Sequence, residues 1–185
     1  MSSIAEAFST IDRANFIPEN FKYMSGADMP LPIGYSQTIS QPTTVEMMLE
    51  WLDAQPDEKV LDVGSGSGWT TALLSIIVGP KGHVYAVERI SELVECGREN
   101  VERLGMRNVS FHQAGKEFGL PAEAPFNRIL VSASADKLPQ TLIDQLKPGG
   151  KLVIPVHNSI FEIYKNPDCG IESTEHPGFV FVPLL

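Results

Sequence analysis

Three glycines at alternate positions, Gly64, Gly66 and Gly68, follow a short apolar segment in the sequence VLDVGSGSG. Glycine takes positive φ angles without strain and lets the backbone approach a ligand closely. A helix that starts after such a loop adds free N–H groups and a positive dipole end, and Gly68 would allow tight packing of strand against helix. The loop predicts a nucleotide-like ligand, with Ser65 as a further candidate contact. Because a GxGxG loop alone is weak evidence, a tight turn without a ligand stays open.

Two acidic residues near the loop narrow the class of ligand. Asp62 lies in the segment before the loop, and Glu88 ends the next β-rich segment, HVYAVE. A carboxylate at that strand end can accept hydrogen bonds from both ribose hydroxyls of a nucleoside. Asp62 is close enough to the loop to contact an ammonium group or a water, and it would repel a pyrophosphate. The pair favours S-adenosylmethionine over a dinucleotide. A solvated strand end for Glu88 and a buried structural cap for Asp62 stay open.

Short β-rich segments alternate with helical ones after Pro56. The sequence predicts strands at 59–63, 83–87, 108–113, 128–132 and 151–156, and helices at 70–78, 91–104 and 138–146. In the helix 91–104, Ser91 is the expected N-cap and Gly105 the expected stop. Strands that are apolar on both faces predict a mostly parallel sheet with helices on both faces, a Rossmann-like α/β fold. Ligands of such sheets bind at the carboxyl ends of the strands.

Both ends of the chain follow a different pattern. Residues 2–14 predict a short amphipathic helix, the proline-rich residues 28–42 a structured loop, and Thr43 or Thr44 the start of another helix. Two further strands are predicted at 160–164 and 179–183. They should be antiparallel, because too few residues precede them for a crossover helix. We expect one domain over 1–185, in which 1–56 supplies helices and a covering loop and 57–185 forms the Rossmann-like core.

Composition excludes several classes of protein. The chain has 185 residues, a formal net charge of -9 and only two cysteines, which form no CxxC pair. The charge argues against a nucleic-acid partner, and the cysteine spacing argues against a metal site. No signal-peptide pattern opens the chain, and the longest apolar run, 72–78, is far shorter than the roughly 20 residues of a membrane helix. We expect a cytoplasmic protein without membrane contact.

The chain resembles the protein-L-isoaspartate O-methyltransferase family in motif order and spacing from about Ala7 to the end. The matching segments are PLPIGYSQTISQP, VLDVGSGSGW, VYAVER, APFNRILVSAS, QLKPGGKLVIPV and FVFVPL. The QTISQP segment is the specific one, whereas the others are typical of class I methyltransferases generally.

The resemblance implies transfer of a methyl group from S-adenosylmethionine to the free carboxylate of isoaspartyl residues in damaged proteins, which leaves S-adenosylhomocysteine. It implies a monomer whose partners are isoaspartyl peptides and proteins. Ser40 falls at the position of the family's active-site serine. The implied cofactor positions are Thr38, Ile39 and Gln41 of the loop over the cofactor, and Asp62, Gly64, Glu88 and Arg89.

A carboxylate acceptor suits the residues present. It is already ionised at pH 7, so the reaction needs no strong general base. Catalysis then consists mostly of holding a carboxylate oxygen in line with the methyl carbon. The Ser40 hydroxyl can donate a hydrogen bond to the other oxygen. Taken alone, Ser40 could equally be a loop serine that bonds to its own backbone.

The match breaks where the family carries Gly-Asp-Gly, whose aspartate recognises the adenine amino group. Here the sequence is Ala114-Gly115-Lys116, so the cofactor position Gly115 has no side-chain acceptor. This departure keeps two alternatives open: a methyltransferase for another carboxylate, and a binding homologue that has lost catalysis. A nicotinamide dehydrogenase would leave QTISQP unexplained. His157 is expected as a partly exposed polar residue rather than a substrate contact.

Overall fold

The computed structural model describes residues 4–184. The helices are α1 (Ile4–Thr10), α2 (Pro42–Leu52), α3 (Trp69–Val78), α4 (Ser91–Arg103) and α5 (Gln140–Asp144). The strands are β1 (Leu31–Gly34), β2 (Gln37–Ile39), β3 (Lys59–Val63), β4 (His83–Glu88), β5 (Val109–Gln113), β6 (Phe126–Val131), β7 (Leu146–Val156), β8 (Ser159–Lys165) and β9 (Ile171–Pro177). Short 3-10 turns occur at Arg13–Phe16, Glu19–Met24 and Pro121–Glu123.

Seven strands form one sheet in the order β5-β4-β3-β6-β7-β8-β9. The five strands from β5 to β7 are parallel, and β8 and β9 are antiparallel to their neighbours. The strand order reverses at β3, because the chain continues to β4 on one side and returns to β6 on the other. Ligands of open α/β sheets bind at such a switch point, beyond the carboxyl ends of the strands.

Apolar side chains on both faces of the sheet hold the helices in place. Val60 belongs to the hydrophobic cluster that includes α1, α2 and α3, whereas the adjacent Leu61 belongs to the cluster that includes α5. Successive residues of a strand point to opposite faces, so β3 contributes to both layers and both of these residues are fully buried. The predicted mostly parallel α/β sheet with antiparallel C-terminal strands is confirmed.

The N-terminal segment is more regular than the sequence predicted. The expected loop 28–42 contains a hairpin, in which β1 and β2 pair antiparallel. Tyr35 and Ser36 connect the strands with φ angles of 54° and 59°, the sign that two-residue hairpins favour. In the sequence alone, the prolines argue against strands. Edge strands, however, tolerate proline, so the hairpin was not predicted. The predicted helix 2–14 is shorter and ends at Thr10, and its residues before Ile4 lie outside the described part of the chain.

Two predictions, the last strand and the N-cap of α4, were wrong, and the predicted helix 138–146 is shorter than expected. The last strand of the sheet is β9 (Ile171–Pro177) and not 179–183, where only Pro183 makes an isolated bridge. Strand β9 is mostly exposed and polar, so it lacks an apolar pattern. The predicted helix 138–146 is shortened to α5 (Gln140–Asp144). Its last predicted residue, Leu146, is instead the first residue of β7. Ser91 is the first residue of α4 rather than its N-cap, whereas Gly105 ends that helix with a φ of 74°, as predicted.

Across residues 4–184, no helix has both the length and the apolar character needed to cross a membrane.

Candidate active site

A cleft of about 610 Å³ opens at the carboxyl ends of β3, β4, β5 and β6. Its volume lies within the range typical of small-molecule sites, roughly 300–1,000 Å³. Of the residues expected to bind the cofactor, the cleft is lined by Thr38, Gly64, Gly66, Glu88, Arg89 and Gly115. Ile39, Ser40 and Ser65 line a small adjoining cavity, and Gln41 lines a groove on its far side. The cleft therefore lies at the switch point where the fold predicts a ligand.

All three loop glycines have positive φ angles, as predicted: 74° at Gly64, 53° at Gly66 and 91° at Gly68. A Cβ atom on Gly66 would lie 3.0 Å from Ile33 Cδ1, and one on Gly68 would lie 3.1 Å from the carbonyl oxygen of Gly97 in α4. Gly68 lines neither the cleft nor its side cavities, so its role is to pack the loop against α4. Gly64 and Gly66 form the surface that a ligand would meet.

The Glu88 carboxylate joins the end of β4 to the glycine loop. Its Oε2 accepts from the Gly66 N–H at 3.0 Å, and its Oε1 accepts from the Arg89 N–H at 2.7 Å and the Ile90 N–H at 2.9 Å. Three of its roughly four acceptor positions are thus occupied. Because Glu88 also lines the cleft, one acceptor position on Oε2 is left for a ligand.

Asp62 lies beneath the loop and is fully buried. Its Oδ2 accepts hydrogen bonds from the hydroxyls of Thr70 at 2.9 Å and Thr71 at 2.6 Å, while Oδ1 has no hydrogen-bond partner among the described residues. Burial raises the pKa of Asp62 to about 6, against the lowering effect of the two threonine hydroxyls. Asp62 thus fixes the first turn of α3 through Oδ2, while Oδ1 remains available as an acceptor.

A cavity of about 30 Å³ extends from the cleft along the glycine loop. Two buried polar atoms of its lining residues, Ser65 Oγ and Trp69 Nε1, have no hydrogen-bond partner among residues 4–184. Buried polar groups are nearly always paired. Asp62 lines neither the cleft nor this cavity, so only the Ser65 hydroxyl and the Trp69 N–H face the space where a polar end of a ligand could enter from the cleft.

The link between β2 and α2 covers this cavity. Ser40 and Gln41 form the link, and α2 starts at Pro42. Asp28 fixes the helix start, because its carboxylate accepts from both the N–H and the hydroxyl of Thr43, at 2.9 and 2.8 Å. Ser40 therefore lies two residues before a helix start that the Asp28 carboxylate holds in place.

A groove of about 270 Å³ lies on the outer side of that link. Thr38, Ser40 and Ser132 line both the groove and the small inner cavity. The groove is otherwise largely apolar and reaches the surface at Val180, which is 86% exposed. A second molecule in the groove would meet Ser40 from the side opposite the glycine loop.

The wall of the cleft opposite the loop is formed by residues 113–119. A Cβ atom on Gly115 would meet no atom within 4 Å, so this position has room for a side chain. Arg89 lies at the rim with its side chain exposed, and its carbonyl oxygen accepts from Gln113 Nε2 at 2.7 Å. His157 is exposed in the turn between β7 and β8 and lines neither the cleft nor its side cavities, as expected.

Sequence reasoning missed several residues that line the site. Ser132 and Ala133 follow the carboxyl end of β6, next to β3, and the segment Val182–Leu184 closes the cleft from the far side. The first pair was accessible from the sequence, because each residue after a parallel strand lies at the ligand edge. The C-terminal segment was not, since it reaches the cleft through two long-range hydrogen bonds with Ser134.

Comparison with known proteins identifies the family. The model of the family described as Protein-L-isoaspartate(D-aspartate) O-methyltransferase (PCMT) matches residues 1–185. The protein-L-isoaspartate O-methyltransferase of Methanothrix thermoacetophila is 45% identical over 185 residues, which cover 98% of this chain and 87% of that protein.

Solved structures agree. A protein-L-isoaspartate O-methyltransferase superposes with a TM-score of 0.87 at 30% identity, and the match covers 98% of this chain and 60% of that chain. A second, from Plasmodium falciparum, was solved in complex with S-adenosyl-L-homocysteine; its TM-score is 0.82 at 28% identity, with coverage of 98% and 89%. This chain therefore belongs to the protein-L-isoaspartate(D-aspartate) O-methyltransferase family.

Proposed function

We propose that this chain transfers a methyl group from S-adenosylmethionine to the free carboxylate of isoaspartyl residues in damaged proteins, and releases S-adenosylhomocysteine. Family membership supports the reaction. One structural observation carries the assignment to this site: Ser40 lies between the inner cavity along the glycine loop and the outer groove that opens at Val180. A cofactor and an acceptor on opposite sides of Ser40 would meet there.

The residues of the cleft suit the parts of the cofactor. We expect Glu88 Oε2 to accept from one ribose hydroxyl directly, whereas a second contact would need the Gly66 N–H to give way. Ser65, whose buried Oγ has no partner among the described residues, would contact the amino-acid end, and the buried Asp62 would act on its ammonium from beneath the loop through charge alone. Arg89 and Gly115 would border the adenine. When bound, the cofactor supplies a methyl group on a sulfonium, which is a good leaving group.

The contribution of this chain to the reaction is mainly orientation. The acceptor carboxylate is ionised at neutral pH and needs no base. The Ser40 hydroxyl donates one hydrogen bond to the oxygen that does not react, and this fixes the other oxygen toward the methyl group. A neutral hydroxyl is suitable because a charged donor would withdraw more electron density from the nucleophile. Thr38, Ile39 and Gln41 keep the loop closed over the site.

We infer the oligomeric state, partners and location of the chain from its packing and composition. We propose a monomer in which residues 1–56 and 57–185 act as one domain, supported by the hydrophobic cluster that joins α1 and α2 to the sheet. The net charge of -9 supports a protein rather than a nucleic-acid partner. The two free cysteines, Cys96 and Cys169, suit the reducing cytoplasm.

The test is transfer of a labelled methyl group from S-adenosylmethionine to two peptides that differ only in an isoaspartyl or aspartyl linkage. The proposal predicts base-labile label on the isoaspartyl peptide alone. Equal label on both would assign another carboxylate to the site. No label on either, combined with tight S-adenosylhomocysteine binding in calorimetry, would remove the isoaspartyl substrate from the assignment.

A further inference from the structure

Arg13 carries a buried guanidinium that the proposed reaction does not use. The residue is only 5% exposed, and burial lowers its pKa from its ordinary value. Such a group still stays charged at neutral pH, because arginine starts from so high a value. A buried charge is costly unless several hydrogen bonds compensate it. The hydrogen-bond partners of Arg13 therefore show which parts of the structure its side chain stabilises.

Five backbone carbonyl oxygens accept hydrogen bonds from the two terminal nitrogens of Arg13. Nη1 donates to Ser25 and Ala27, both at 3.1 Å. Nη2 donates to Met29 at 2.8 Å and Ser40 at 3.0 Å, with a longer contact of 3.5 Å to Ile39. No side-chain carboxylate is among these partners. The guanidinium therefore holds backbone in place.

These partners lie on both sides of the β1–β2 hairpin. Met29 lies just before β1, and Ser40 just after β2, so Nη2 joins the two ends of the segment that covers the cleft. A planar guanidinium donates in several fixed directions, which suits it to hold two chains at a set distance. The position of Ser40 is thus tied to Arg13 through a single nitrogen atom.

Arg13 also contacts the cofactor side of the site. Its Cζ lies 5.3 Å from the centre of the Trp69 ring, a distance at which a cation is attracted to an aromatic face. Trp69 is the first residue of α3, directly after the glycine loop. The Arg13 side chain therefore holds the segment that covers the cleft against the start of α3, which follows the glycine loop.

We propose that Arg13 is a positioning residue for methyl transfer: its guanidinium sets the distance of Ser40 from the glycine loop by holding the Ser40 carbonyl and the Trp69 ring together. The inference rests on the proposed function of Ser40. It predicts that loss of the guanidinium acts on turnover through Ser40, while the cofactor still binds.

The first variant is Arg13→Lys, which keeps the charge but offers one nitrogen in place of two. Arg13→Met removes the charge as well and serves as the stronger change if it folds. Arg107→Lys, at an exposed arginine, is the matched control. We expect Arg13→Lys to lower kcat at least about tenfold on the isoaspartyl peptide, because small displacements of a positioning group have effects of this size. The dissociation constant for S-adenosylhomocysteine should change far less than kcat, since Arg13 donates to no residue of the glycine loop and meets Trp69 only through its ring.

A double-mutant cycle separates positioning from general support of the fold. If Arg13 acts through the Ser40 hydroxyl, Arg13→Lys should reduce turnover far less in a Ser40→Ala background than in the wild-type protein. An equal reduction in both backgrounds would overturn the inference. So would unchanged turnover in Arg13→Lys, or a parallel loss of S-adenosylhomocysteine binding.

Hydrogen exchange gives a readout that requires no methyl transfer. Arg13→Lys should speed exchange of the backbone amides at residues 37–41 while those of β3 keep their wild-type rates. Unchanged exchange at 37–41 would overturn the inference. A wild-type protein that transfers no methyl group to either peptide would instead count against the proposed function, and the exchange result would still test Arg13.

Discussion

The carboxylate of Glu88 accepts a hydrogen bond from the backbone N–H of Gly66 at 3.0 Å, so the glycine loop is fixed to the end of β4. The same carboxylate accepts from two N–H groups at the start of α4. One side chain thus holds together three elements that surround the cleft. This explains how a chain with so many glycines in one loop keeps a defined surface for a ligand.

Glu88→Gln should weaken cofactor binding by at least about tenfold, as expected for loss of one charge-assisted hydrogen bond and rearrangement of its neighbours. A glutamine retains one acceptor oxygen, but its NH2 group would face an N–H donor. The free energy of unfolding should fall by about 1–2 kcal/mol for the same reason. Calorimetry with S-adenosylhomocysteine and denaturant unfolding measure the two effects. Glu102→Gln, on the exposed face of α4, is the control and should change neither; a similar loss in that variant would show that the effect is not local.

The buried Asp62 makes stability depend on pH. Burial raises its pKa from 3.8 to about 6, so between these values the folded protein keeps a proton that the unfolded chain releases. The free energy of unfolding should therefore decrease as the pH rises from about 4 to about 6 and level off above that, by on the order of 2–3 kcal/mol. Unfolding in urea across this range measures the slope after subtraction of the Asp62→Asn curve.

Asp62→Asn is the matched variant, because its amide oxygen can still accept from Thr70 and Thr71. It should lack the Asp62 part of the pH dependence and be at least as stable as the wild type at pH 7 without cofactor. In the wild type, S-adenosylhomocysteine should bind more tightly as the pH rises through about 6, since its ammonium favours an ionised Asp62. Identical pH profiles of binding in the two proteins would contradict an effect of the Asp62 charge on the cofactor.

Gly115 offers a test by gain of function. A Cβ atom there would meet open space, so Gly115→Asp should fold and place a carboxylate on the adenine wall of the cleft. We expect tighter S-adenosylhomocysteine binding, by up to about tenfold, because the adenine amino group gains an acceptor. Gly115→Ala restricts the backbone equally but adds no acceptor, and it should leave the affinity unchanged. Equal affinities of the Asp and Ala variants would show that the adenine does not lie against this wall.

The sequence predicted the elements that depend on local residue types. It did not predict the elements and contacts that depend on residues far apart in the chain. The apolar strands 59–63 and 83–87 and the glycine loop were correct, because burial on both faces and positive φ leave clear signals. Strand β9 was missed, since an exposed edge strand needs no apolar side. The role of Arg13 was missed as well, because its partners are 12 to 27 residues away. They are backbone carbonyls, which every residue has, so no residue type in the sequence indicates the contact.

The most direct test of the central claim is the turnover of Ser40→Ala on the isoaspartyl peptide, measured together with its affinity for S-adenosylhomocysteine. We expect kcat to fall by about 10- to 100-fold, as for loss of one orienting hydrogen bond in a confined site, while the affinity stays within about twofold. Ser9→Ala, on the exposed face of α1, should match the wild type in both. Wild-type turnover in Ser40→Ala would contradict the role of Ser40 and, with it, the assignment of this site to methyl transfer.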